Sequence, residues 1–429
     1  MNRSHRAARG FLRGAAIAVR PMRRDEADAL AASGARSFRS GDTALWRHRV
    51  FTFEDNPSLA PADTLVATIG GTVAGHATGF RFRMSLAGTE VPVRGIAAVA
   101  VLPEFRRRGV AEALMVALHR QMRRRGEPLS MLYAFRNSFY RKMGYGTVEW
   151  ADDLRVAPDQ LPPSPLRRNA RAIDRARDTA TIERLYDRWR RDRVGPFARH
   201  AAWWTRRVWE RMSDGALYVD PRSGLPRGYV LYEVPTEPSY PRQDLFVREL
   251  VALDGEAMRG LLGYLEGLGD QFRRMLLVFP RGEGVSLLGE FGVVGLADPV
   301  RLFETAGHVA GGVLLRLVDV PAALALHPGP RANGARGRVG LDLEDPIVAA
   351  NARPLDVTFG ARGARAVPCR AARDRLALSV DRLAQVYLGA VSARALLASG
   401  FATGSPRAAE LIDRAFAGPP CFLSPLNGF

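Results

Sequence analysis

The strongest hydrophobic pattern in the chain lies between Ile96 and Met122. From Ile96 to Leu102 small and β-branched apolar residues run without a break and stop at Pro103, which has no N–H to give to a sheet ladder. Beyond Gly109, Val110, Leu114, Leu118 and Met122 recur at four-residue spacing with Met115 beside them, so one helical face is apolar and docks on a sheet. The pattern predicts strand, tight loop, helix. Upstream, Ile17 to Arg20 alternate weakly as a first strand. Arg23-Arg24-Asp25-Glu26 opens a helix through Ala35, its acids in the first turn. Thr64–Ile69 and Thr72–Phe82 are strand-like runs joined at Gly70-Gly71, the dipeptide of a tight hairpin. Val91–Val101 completes a meander, and Leu129–Phe135 adds a strand after the helix. Phe38 and Trp46 fall in a segment without clear period and are expected in the core. The order fits an α/β sandwich.

After Trp150 the chain turns polar and proline-rich (Pro158, Pro162, Pro163, Pro165), which reads as a linker. A second region follows: a charge-laced helix over Ala172–Asp192, strands over Ala216–Val219, Gly228–Val234 and Leu245–Leu253, a helix over Met258–Phe272 and a buried strand over Met275–Phe279. It repeats the strand-helix-strand order of the first. Its join, Ala252-Leu253-Asp254-Gly255-Glu256-Ala257, carries acids where the first carries arginines, and acid at a helix start repels phosphate. From Gly311 the pattern changes again. Strands are expected over Val313–Val318, Arg336–Leu343, Thr358–Gly360 and Leu376–Ser379. Helices are expected over Pro321–Leu326, Val380–Leu388, Val391–Ser399 and Arg407–Ala417.

With 429 residues the chain exceeds what one core serves, so two or three domains are expected. Its 47% hydrophobic and 25% charged residues are those of a globular protein. The net charge is +18, but of the 62 basic residues only Lys142 is a lysine, and the arginines are dispersed through every region. No basic nucleic-acid motif accompanies them, so no nucleic-acid partner is expected. Cys369 and Cys421 form neither a disulfide framework nor a metal motif, so no metal and a reducing cytoplasm are expected. Met1–Arg20 is basic with too short an apolar piece for a signal sequence, and no run is long enough to span a membrane.

Free backbone N–H groups at a helix start, three arginines beside them and a glycine that lets a ligand approach make a site for a pyrophosphate, hence for a phosphate-bearing cofactor. Arg106-Arg107-Arg108-Gly109-Val110-Ala111, read as Arg-x-x-Gly-x-Ala, resembles the acetyl-CoA loop of the GNAT acetyltransferase superfamily. Tyr140-Arg141-Lys142-Met143-Gly144-Tyr145-Gly146 resembles the Tyr-x-x-x-Gly-Tyr-Gly signature of the Eis ("enhanced intracellular survival") family within it. The resemblance covers nearly the whole chain. It implies an α/β (α+β) fold with tandem GNAT acetyltransferase domains followed by a sterol-carrier-like α+β domain: a catalytic domain over 1–155, a degenerate GNAT-like domain without cofactor over 166–305, and a sterol-carrier-protein-like domain over 306–429.

The family likeness further implies acetyl-CoA as cosubstrate. Val99, Ala100, Val101, Arg106, Arg107, Arg108, Gly109, Val110, Ala111 and Glu112 would form its site, Val99 and Val101 pairing with the pantetheine amides in a gap between Ala97–Leu102 and Leu129–Phe135. Acetyl transfer to an amine needs a base for the amine proton and an acid for the thiolate. The resemblance assigns Tyr140 as the acid and the carboxylate of Phe429 as the base. Tyr145, between two glycines, suits a turn instead. Phe135-Arg136 stand where relatives carry Ser-Glu. The expected activity is transfer to a primary amine of an aminoglycoside-like molecule, a lysine or a polyamine, in a cytoplasmic homo-hexamer without membrane contact. Asp25, Glu26 and Asp42 are the candidate acids for drawing in a cationic acceptor. An acetyl-CoA-sensing protein that binds a lipid or partner without catalysis is the alternative.

Overall fold

The computed structural model describes residues 16–54, 56–212, 214–234, 243–284, 286 and 307–429. Met1–Ala15 and the expected boundary at 305/306 lie outside the described residues. The chain divides into two compact units. The first holds residues 1–82, 92–133 and Phe429; the second holds 83–91 and 134–428.

In the first unit the strands run in the sheet order β1 (Ile17–Pro21), β2 (Thr64–Ile69), β3 (Thr72–Leu86), β4 (Thr89–Val101), β5 (Leu129–Leu132). The outer ends of β3 and β4, Arg83–Val91, belong to the second unit. Gly70 and Gly71 both take left-handed backbone (φ +57° and +80°), which makes the β2–β3 connection tight. The first helix starts later than the sequence suggests. Arg24–Glu26 form a single 3-10 turn, because the Glu26 carboxylate folds back onto the Arg23 N–H (2.8 Å), and α1 runs from Ala27 to Phe38. The unassigned segment forms a second helix, α2 (Thr43–Val50), capped by the Asp42 carboxylate on the Leu45 N–H. Trp46 lies 4.9 Å from the Phe38 ring and over Gly34. Phe38 is 47% exposed, so the expectation that it fills the core is wrong. α3 (Val110–Arg124) follows β4 and buries Val110, Leu114, Met115, Leu118 and Met122, the stripe expected of it. β5 ends at Leu132, three residues early, and Tyr133 and Phe135 are exposed.

The second unit opens with a short helix, α4 (Asn137–Arg141), followed by β6 (Trp150–Val156). Its large sheet has the order β12 (Gly307–Gly311), β6, β11 (Phe272–Pro280), β10 (Gln243–Ala252), β9 (Pro226–Glu233), β8 (Asp214–Val219), with Ala170–Ala172 at the edge. β10, helix α6 (Gly255–Glu266) and β11 form a strand-helix-strand unit with β10 and β11 parallel. The helix therefore ends at Glu266, and Phe272 opens a strand rather than closing the helix. The proline-rich stretch is no free linker. Pro158–Gln160 and Pro165–Asn169 are 3-10 turns, and Leu161 and Leu166 pack with Leu261, Leu262 and Leu265 in the core beneath the sheet. The charge-laced helix is α5 (Arg175–Arg190), and β7 (Val194–Phe197) follows it.

Residues 314–429 add β13 (Leu314–Leu317), α7 (Val320–Leu326), β14 (Gly337–Glu344), β15 (Leu355–Gly360), β16 (Gly363–Pro368) and β17 (Arg375–Ser379). They then form α8 (Val380–Tyr387), α9 (Ala393–Ala398) and α10 (Pro406–Phe416). β14 lies between an antiparallel β15 and a parallel β17, a mixed sheet. No helix among the described residues is long and apolar enough to cross a membrane.

Candidate active site

In the first unit, β4 and β5 are in register at only two places, Arg94 with Ser130 and Gly95 with Met131. β4 runs on to Val101, while β5 stops one residue past Met131. Ala98, inside β4, holds left-handed backbone (φ +50°), a bulge that breaks the pleat where the partner is lost. Val99 and Val101 are half-buried along this freed stretch and Ala100 is buried. The last point of pairing is held by charge. The buried Arg94 guanidinium donates to Asp63 (2.9 Å), to the Gly79 carbonyl (2.8 Å) and to both oxygens of Glu127, just before β5. Burial pushes the Asp63 carboxyl up, but Arg125, Arg94 and Arg81 outweigh it and hold the group below the usual carboxylate range. The sequence reading missed this cluster; its one signal was an arginine inside an otherwise apolar strand.

β4 leads through a 3-10 turn (Pro103–Phe105) into the arginine loop. Arg106 turns back, donating to the carbonyls of Ser37 (2.9 Å) and Val101 (3.4 Å), so it braces the loop. Arg107 and Arg108 are exposed, Arg108 with its guanidinium 5.4 Å from the Phe105 ring centre. Arg107 (φ +60°) and Gly109 (φ +83°) both take left-handed backbone. Gly109 is the N-cap of α3 and offers no side chain to cap it, so the first turn, with Val110, Ala111 and the exposed Glu112, keeps its amide groups open to a ligand. Gly75 on β3 lets the strands close up, because a Cβ there would stand 2.4 Å from the Ala100 carbonyl oxygen. An uncapped helix start, left-handed backbone and two outward arginines fit a pyrophosphate. The freed β4 edge fits a ligand with amides to pair.

Phe429 also lies in the first unit. Its ring is 5.3 Å from Phe82 and 5.5 Å from Tyr133, and a Cβ on Gly95 would come within 2.9 Å of it. Gly95 is the residue at which β4 and β5 part. The three candidate acids stand differently. Glu26 is tied to Arg20 (2.6 Å), which draws its carboxyl down to about 2; Asp42 is spent on the α2 cap; Asp25 is largely exposed, 3.5 Å from Arg23.

In the second unit, Tyr140 sits on α4, almost fully buried among the rings of Phe139 (5.0 Å), Phe135 (5.9 Å) and Tyr145 (6.1 Å). Burial pushes its hydroxyl up to about 12, so the phenol keeps its proton at neutral pH. The turn behind it is locked. Gly144 takes φ +80°, a side chain there would strike the Arg316 guanidinium, and one on Gly146 would strike the Asp381 carbonyl. Arg316 donates to the Met143 carbonyl and pairs with Asp345 (2.7 Å), both side chains fully buried. Tyr145 is buried within this turn.

The helix start of the second strand-helix-strand unit is built differently. The Asp254 carboxylate accepts from the Ala257 N–H (2.9 Å) and from Arg227 (2.7 Å), so α6 carries its own anion at the place α3 leaves open. Among the described residues no group of three or more His, Cys, Asp or Glu is placed to hold a metal ion, and both cysteines are free.

A pair of parallel strands that part, with a bulge in the freed stretch, followed by an arginine-glycine loop at an open helix start, defines an acetyltransferase of the GNAT class. Sequence profiles agree: the acetyltransferase (GNAT) domain matches residues 18–148, a second acetyltransferase (GNAT) domain matches 195–288 and the sterol carrier protein domain matches 320–424. The chain is 28% identical over 378 residues to N-acetyltransferase Eis of Mycobacterium tuberculosis, covering 84% of this chain and 88% of that one. It is 32% identical over 345 residues to an uncharacterized N-acetyltransferase of Streptomyces avermitilis, covering 77% and 80%. The crystal structure of Eis1 from Mycobacterium abscessus has the same fold, with TM-score 0.74 at 22% identity over 96% of this chain and all of that one. The chain belongs to the Eis family of GNAT N-acetyltransferases, and it is an acyltransferase.

Proposed function

We propose that this protein moves acetyl from acetyl-CoA directly to a primary amine, with Tyr140 as general acid and the Phe429 carboxylate as general base. The observation that carries the reading is the Phe429 ring against Gly95, where β4 and β5 part in the first unit. In this reading Val99, Ala100 and Val101 line the pantetheine, the first turn of α3 from Gly109 to Glu112 takes the pyrophosphate on its amides, and Arg107 and Arg108 neutralise it from outside. Arg106 shapes the loop. Bound acetyl-CoA supplies a thioester carbonyl. As the amine nitrogen bonds to that carbon, its proton passes to the carboxylate of Phe429, directly or through water; as the C–S bond breaks, the thiolate takes the proton of the Tyr140 hydroxyl. The high proton affinity of Tyr140 keeps it in the donor form until then.

The acceptor classes are an aminoglycoside-like molecule, a lysine and a polyamine. Each of the three candidate acids is already engaged, Glu26 by Arg20, Asp42 by the α2 cap and Asp25 by Arg23, which favours an acceptor of low positive charge. A cytoplasmic hexamer completes the reading, by likeness to the family. Thiol release from acetyl-CoA across a panel of such amines tests it. The wild type turns over with at least one class, and Tyr140→Phe binds acetyl-CoA equally well but turns over about 100-fold more slowly, the usual worth of a general acid. Wild-type turnover by a folded Tyr140→Phe variant sinks the role of Tyr140.

A further inference from the structure

The second GNAT domain has the splayed strands of the first. β10 and β11 are in register from Gln243 with Phe272 to Phe246 with Leu276, and from Val247 onward β10 loses that partner. The gap is filled by this chain. What remains of it is a cavity of about 30 Å³ walled by Val247, Glu249, Leu277 and Phe279 on the strand side and by Phe422 and Ser424 on the other. Residues 421–427 are fastened along their length. The Phe422 N–H donates to the Val194 carbonyl (2.9 Å), the Leu423 N–H to Glu149 (2.6 Å) and the Trp203 indole N–H to the Leu426 carbonyl (3.1 Å).

The deepest fastening is ionic. Glu249, in the unpaired half of β10, takes a two-pronged pair from Arg199 (3.0 and 2.6 Å), both side chains about 1% exposed, and also accepts from Tyr229 (2.8 Å) and from the Ser424 hydroxyl. Arg199 lies 3.8 Å from the Tyr186 ring centre and donates through Nε to Asn427 Oδ1 (2.9 Å). The Asn427 amide donates to the Tyr186 hydroxyl (2.9 Å), which donates to the Phe197 carbonyl (2.8 Å). Every polar atom of the Asn427 side chain is thus spoken for, and Asn427 is fully buried. A buried ion pair is poor evidence for stability, since apolar residues of the same size do as well; its strength is in fixing one arrangement. Two residues separate Asn427 from the end of Phe429, a reach of about 7 Å.

We propose that the second GNAT domain acts in the reaction as a clamp: its strand gap holds residues 421–427, and Arg199, Glu249 and Asn427 are positioning residues for Phe429. The inference rests on the reading of Phe429 as the base. It gives the domain a task that needs no second cofactor, and it explains why a glutamate and an arginine are buried together there.

The test compares steady-state kinetics and melting temperature of the full chain in four forms: Asn427→Ala, Ser424→Ala, removal of Phe429, and Leu262→Ala, which opens the same domain's core away from the clamp. The clamp predicts that Asn427→Ala loses at least tenfold in kcat with the KM for acetyl-CoA within twofold, that Ser424→Ala falls in the same direction, and that Leu262→Ala, matched in melting temperature, keeps its kcat. Equal losses in Asn427→Ala and Leu262→Ala overturn it, as the effect is then only structural. If removal of Phe429 abolishes turnover while Asn427→Ala and Ser424→Ala keep wild-type kcat, the clamp fails and the base stands. If the form without Phe429 keeps its turnover, the base assignment fails and the clamp fails with it.

Discussion

His76 shows how much a single buried side chain can set. It lies on β3 beside Phe51 (ring centres 5.5 Å apart), fully buried, and neither ring nitrogen has a hydrogen-bond partner among the described residues. Burial alone pulls its imidazole down to about 4. His327 is likewise drawn down to about 4 by burial, against a partial counter-pull from Tyr387. Both are neutral when folded, whereas the unfolded chain takes up protons from about pH 6.5. Stability is therefore full above that pH, falls as the pH drops from about 6.5 to 4, and loses up to about 3 kcal/mol for each histidine. His76→Met removes one such slope and two unpartnered nitrogens. Its melting temperature is expected to rise at neutral pH and to fall less steeply than the wild type's toward pH 4. An unchanged slope by calorimetry would show that His76 is solvated.

At the scale of elements, the β4–loop–α3 unit was legible in the sequence because its signals are local: an apolar run, a proline, a glycine and a four-residue stripe all lie within 30 residues of one another. The Tyr140 motif and the turn that suits its glycines were legible for the same reason, but what locks that turn, Arg316 and Asp381, lies far along the chain and was not. The point where β4 and β5 part was not, because the groups that hold it, Asp63, Arg94 and Glu127, are about 30 residues apart in sequence. The same holds for Arg199, Glu249 and Asn427. Each leaves only a charged residue in an apolar run or a buried polar residue near Phe429, and nothing local says which partner it finds. Phe38 shows the opposite failure: an aromatic residue expected inside lies against Trp46 at the surface. The Arg94 cluster carries a direct expectation. Arg94→Met leaves Asp63 and Glu127 facing each other without their shared cation, which costs about 3–5 kcal/mol in chemical denaturation. A loss below about 1 kcal/mol would mean that Arg125 and Arg81 hold the Asp63 carboxylate unaided and that Glu127 does without its partner.

For the whole molecule, two GNAT domains of one architecture have diverged at the same two places. Where α3 leaves its first turn open, α6 caps its own with Asp254; where β4 and β5 part around the Phe429 ring, β10 and β11 part around residues 422–425. One domain keeps an open helix start, and the strand gap of the other is filled by protein. The family membership and the acyltransferase class follow from the whole chain. The catalytic assignment turns on the Phe429 carboxylate. It is tested most directly by appending one residue after Phe429, which keeps the aromatic ring and moves the charge. The account predicts that the extended protein binds acetyl-CoA as tightly as the wild type and loses about 100-fold or more in turnover with an amine the wild type acetylates. Equal turnover by the two proteins would contradict it and place the base elsewhere.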